Sequence, residues 1–136
     1  MSQLLTSTRS IWQGAGSAGD GIREYETTSV LQRRREAWRR LIDFTLVEWG
    51  RDPQAMEDDD VIPPSQNSVS HSIRLASQLA ENDAPPPTRV VPNGDGGIVF
   101  ERIRGEIAET IEVESDGSLY FTLCQGSRLV HRAKWA

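Results

Sequence analysis

Residues 98–135 read IVFERIRGEIAETIEVESDGSLYFTLCQGSRLVHRAKW. Apolar and polar residues alternate along the stretch, interrupted at Gly105, Ser115-Asp116-Gly117 and Gln125-Gly126-Ser127. A period of two marks strands with one buried face, and breaks this short join antiparallel neighbours. Four strands are predicted, at 98–104, 106–114, 118–124 and 128–135, forming a meander. A three-residue loop at 115–117 pairs Val113 with Leu119 and Ile111 with Phe121. A three-residue loop at 125–127 pairs Leu123 with Leu129 and Leu119 with Ala133. One face then carries Ile98, Phe100, Ile107, Ile111, Val113, Leu119, Phe121, Leu123, Leu129 and Trp135, as a one-sided sheet requires. The other pairs Glu112 with Tyr120, Tyr120 with Arg132 and Thr110 with Thr122, a solvated charge ladder.

An apolar sheet face needs a cover, and two upstream segments have helical periodicity. Residues 27–50 predict a long helix, capped by Thr27, Thr28 or Ser29 and ended by Gly50 and Pro53. Steps of about 100° place Leu31, Trp38, Ile42, Thr45 and Trp49 on one stripe. Phe44 and Val47 point away from it, so this half of the helix is apolar on more than one side. Residues 67–82 predict a second helix, entered through Ser65 or Ser68, with Val69, Ile73, Ala76 and Ala80 as its stripe. Asn82, Asp83 and Pro85–Pro87 stop it. Between the helices, 51–66 is an acidic, Pro-rich linker. Arg89-Val90-Val91 reads as a short edge strand, followed by the turn Pro92–Gly97. The expected architecture is α+β: two helices packed on one face of a four- to five-stranded antiparallel β-meander (88–135). It forms a single domain, 23–136, behind a flexible tail, 1–22, rich in Ser, Thr, Gly and Ala.

Composition narrows the function. The chain has 136 residues, 37 % of them hydrophobic, and a net charge of −5. Residues 52–66 alone sum to −5, whereas 23–51 sum to +2 with seven Arg against five acids. An acidic total disfavours a general nucleic-acid coat protein, whose affinity comes from neutralising phosphates. No stretch approaches the roughly 18 apolar residues of a spanning helix, and the N-terminus lacks the cationic start and apolar block of a secretory signal. Cys124 is the only cysteine, which excludes an internal disulfide and a Cys-rich zinc site within one chain. A reducing cytoplasm is the expected home.

Few residues combine into chemistry. His71 lies between Ser70 and Ser72, but adjacent helical residues diverge by about 100°, which does not build a Ser–His dyad. Cys124 and His131 fall on opposite sheet faces in the expected register. Glu57-Asp58-Asp59-Asp60 lacks the alternation and Gly of a calcium loop and reads as a solvated run. Pro92–Gly97 matches no phosphate-binding fingerprint and leads into a strand, not a helix. No catalytic residue, metal site or cofactor is expected. Arg33, Arg34, Arg35, Arg39 and Arg40 form the one basic cluster, scattered over a wide arc where a recognition helix would concentrate them.

The run Pro86–Glu101, PPTRVVPNGDGGIVFE, resembles a segment of small uncharacterised bacterial proteins. In those, a Pro-led extended stretch and an Asp-Gly-Gly turn enter a strand with an aliphatic residue, then Glu and often Trp. Here Arg102 stands where Trp often does. The resemblance covers 69–123 and implies a cytoplasmic α+β protein with no activity to transfer.

The residues therefore point to a non-catalytic interaction protein: an adaptor, a small regulatory partner or an antitoxin-like binder, acting on another protein or on a second copy of itself. Trp12, Phe44 and Val47 are its candidate contacts. The alternatives are nucleic-acid binding through the arginines of 33–40, and a small enzyme built on carboxylates and His71.

Overall fold

A computed structural model describes residues 28–56 and 61–135. The tail 1–22, with Trp12, and the acidic run Glu57–Asp60 lie outside them. Helix α1 is regular over Thr28–Leu41, widens into a π turn over Ile42–Leu46 and resumes as α-helix over Val47–Arg51. A 3₁₀ turn at Pro53–Met56 follows, and α2 spans Gln66–Glu81. Strands β1 (Arg89–Pro92), β2 (Ile98–Arg104), β3 (Ile107–Val113), β4 (Leu119–Gln125) and β5 (Arg128–Trp135) form one antiparallel sheet in sequence order. The fold is α+β. Helix α2 lies on β2 and β3, and α1 packs along α2.

The π turn has a packing cause. Trp38 and Leu46 are both fully buried. Eight residues at about 100° would set them about 80° apart on a regular helix. A π turn holds one residue more and takes up most of that offset. Both side chains then reach a core made with Leu75, Ala76, Leu79, Ile98, Phe100, Ile111, Val113 and Phe121.

Helix α2 is fastened at both ends. At its start, Ser65 Oγ accepts from the Ser68 amide (3.0 Å) and donates to the Ser115 carbonyl (2.6 Å). Its finish is a Schellman motif, with the Ala84 amide on the Leu79 carbonyl (3.0 Å) and the Asp83 amide on that of Ala80 (3.1 Å). Asp83 occupies the left-handed position usually given to Gly, at φ +58°.

The turn after β1 docks the linker. Asn93 Oδ1 accepts from the amides of Asp95 and Gly97, both at 2.8 Å. The Gly94 carbonyl receives the Ile62 amide (3.0 Å), and that of Gly96 receives the Ser65 amide and the Ser68 hydroxyl (both 2.8 Å). Gly97 is required here, because a Cβ would collide with the Val113 carbonyl and the Asn93 side chain.

The β3–β4 register is the expected one, with Val113 opposite Leu119 and Ile111 opposite Phe121. The β4–β5 register differs. Leu123 faces His131 rather than Leu129, and Leu119 faces Trp135 rather than Ala133. The connection is a two-residue turn, Gly126-Ser127, with Gly126 at φ +60°, so Gln125 pairs with Arg128. Pairing then skips Val130, a bulge that restores the inward set. Leu129 consequently pairs with Cys124 on the uncovered face and is 57 % exposed. Arg132 faces Thr122, not Tyr120, yet its guanidinium lies 4.9 Å from the Tyr120 ring centre and 3.9 Å from Glu112. Ile107, placed on the apolar face by alternation, is 44 % exposed at the start of β3.

Candidate interaction face

The arginine cluster divides by function along α1. Arg34 donates to the Asp83 carbonyl at 3.3 Å. Arg35 meets the Asp83 carboxylate through Nε (3.2 Å) and Nη2 (3.0 Å). One turn on, Trp38 Nε1 donates to the Ala84 carbonyl at 2.8 Å inside the core. From the sheet side, Arg102 donates to the Pro86 carbonyl at 3.1 Å. Four side chains thus clamp the Schellman turn and the proline run after it. Burial first, then Arg104 and Arg34, hold the Arg102 guanidinium below the ordinary arginine value, with Glu109 acting against them.

Arg33 turns back to the Ser29 carbonyl of its own helix, at 3.4 Å. Arg39 lines a cleft of about 450 Å³ between α1 and α2, with Arg35, Asp43 and Glu81 on its walls and Ile42, Ser77 and Ala80 beneath. Arg40 is exposed. The five arginines therefore form no single basic face.

Phe44 and Val47 are the exposed apolar residues of α1, at 74 % and 41 %. The π turn that draws Leu46 inward places Phe44 almost opposite Trp38. Arg40 and Glu48, four residues before and after, fall in the same outer row. Val47 flanks that row. Glu48 also accepts from Arg51 at 3.1 Å. The row carries a cation, an aromatic ring and an anion on ordered helix.

The other singled-out residues lie outside this row. His71 Nδ1–H donates to the Asn67 carbonyl at 2.8 Å, and its ring packs beside Gly117. Ser72 Oγ is buried with no hydrogen-bond partner. His131 lies near Phe121, with ring centres 6.4 Å apart, on the sheet face opposite Cys124. Among the described residues no group of three or more His, Cys, Asp or Glu converges as a metal site, and no helix is long and apolar enough to cross a membrane.

Periodicity alone exposed Phe44 and Val47. It missed the π turn, whose signal was the phase slip between Trp38 and Leu46. It also missed the arginine clamp on Asp83, which has no local signature. No protein-family model matches this chain, and no curated protein or solved structure matches it.

Proposed function

We propose that this chain is a non-catalytic protein-interaction module of the cytoplasm, of adaptor or regulatory type, that docks through the outer row of α1. The observation that carries the reading is Phe44. Phe44 is 74 % exposed on the helix, so most of its ring is not used by the core, and aromatic and Arg side chains are enriched at protein interfaces. The single cysteine suits a reducing compartment, and the resemblance of 86–101 to small bacterial proteins suits a bacterial source.

Nucleic-acid binding through 33–40 is the weaker reading, because Arg34 and Arg35 are spent on Asp83. The test is capture from source-cell lysate on the immobilised full chain, at moderate salt, beside Phe44→Asp. A protein enriched by the native chain and lost with the variant supports the proposal. Nucleic acid alone, released by about 0.5 M salt, would replace it with the arginine reading.

A further inference from the structure

The outer row of α1 has a symmetry that selects its occupant. Arg40 and Glu48 stand four residues either side of Phe44. A twofold axis through Phe44 maps each position 44+k of one chain onto 44−k of another, with the helices antiparallel. Arg40 of each copy then faces Glu48 of the other, and the two Phe44 rings meet on the axis. We infer that the partner of this face is a second copy of the same chain, docked antiparallel about Phe44. This rests on the interaction reading above.

Charge complementarity argues for the arrangement. The row carries one cation and one anion at equal distances from its apolar centre, so it is complementary to itself under the twofold operation. Among the described residues Arg40 has no ion-pair partner. Glu48 is half-exposed and pairs with Arg51 at 3.1 Å, on the solvent side of the helix. Further out, the same axis sets Glu36 against Asp52, like charges. The helices must therefore cross, confining the contact to the two turns around Phe44. So short a contact lies below the roughly 1,200 Å² of stable interfaces, and the dimer is concentration-dependent.

Sedimentation equilibrium of the full chain, from about 1 to 500 μM, tests this. The native chain is expected to show a monomer–dimer equilibrium with a Kd on the order of tens of micromolar. Phe44→Asp should be monomeric with an unchanged circular dichroism spectrum. Arg40→Glu and Glu48→Arg should each weaken association about tenfold or more, since each sets like charges against each other twice. Mixing those two variants should restore it, because one then presents only acids and the other only bases. A strictly monomeric native chain would overturn the second-copy inference. The interaction reading would still stand if Phe44→Asp abolished lysate capture of another protein, and would fall with it if capture were unaffected. A dimer indifferent to Phe44→Asp, or a mixture no tighter than its components, would overturn the antiparallel arrangement.

Discussion

Trp38 does two jobs with one side chain: its ring fills the core and its Nε1 holds the Ala84 carbonyl at 2.8 Å. Trp38→Phe keeps most of the ring but leaves that buried carbonyl unpaired, so a loss of about 1–3 kcal/mol is expected in chemical denaturation. Ser72 presents the opposite case, a buried hydroxyl with no partner. Ser72→Ala should raise the denaturation midpoint, by about 1 kcal/mol of stability. Gly117 has φ +92°, and a Cβ there would stand 2.6 Å from the His71 ring. Gly117→Ala should therefore cost about 1–3 kcal/mol, read from the same curves. Folding raises the Glu114 carboxyl from its ordinary value, through burial first and Glu112 next, with Arg132 opposing. A carboxyl raised by folding contributes stability that is present at low pH and lost as pH rises through its folded value. Glu114→Gln should thus melt higher than the native chain near pH 7, with the gap closing toward about pH 4.

At the scale of elements, the π turn is the part of α1 that a regular period does not describe. Deleting Phe44 shortens the Trp38–Leu46 spacing to seven residues, about two α turns, so both still point inward. The deletion variant is expected to keep native helicity and melting temperature within a few degrees while losing self-association. A collapse of the melting transition would show that the extra residue is needed for the core. The elements themselves were largely legible before the structure, because Gly, Pro and Ser punctuate them and two periods separate helix from strand. The β4–β5 register was not. Residues 125–127 read equally well as a two- or three-residue turn, and a bulge at Val130 repairs the pattern that the shorter turn disturbs. The clamp on Asp83 was hidden for another reason. It joins residues 48 and 49 positions apart, and nothing local to either end marks the partner.

Over the whole molecule, two surfaces differ. On the uncovered face of the sheet Arg89 pairs with Glu101, and Arg132 with Glu112 and Tyr120, while Ile103 and Leu129 stand exposed toward one end. The outer row of α1 is answered by nothing within the described residues except Arg51. The exposed Phe44, between Glu48 and an Arg40 that has no ion pair among the described residues, is what directs the docking proposal to the helix, and the sequence showed it as two apolar residues out of phase. A dilution series followed by ¹⁵N–¹H NMR on the full chain tests the claim most directly. Concentration-dependent shifts centred on the resonances of 40–48 are expected, fading on dilution and absent in Phe44→Asp. Shifts centred on the uncovered sheet face around Tyr120 and Arg132, or none at any concentration, would contradict self-docking through this helix.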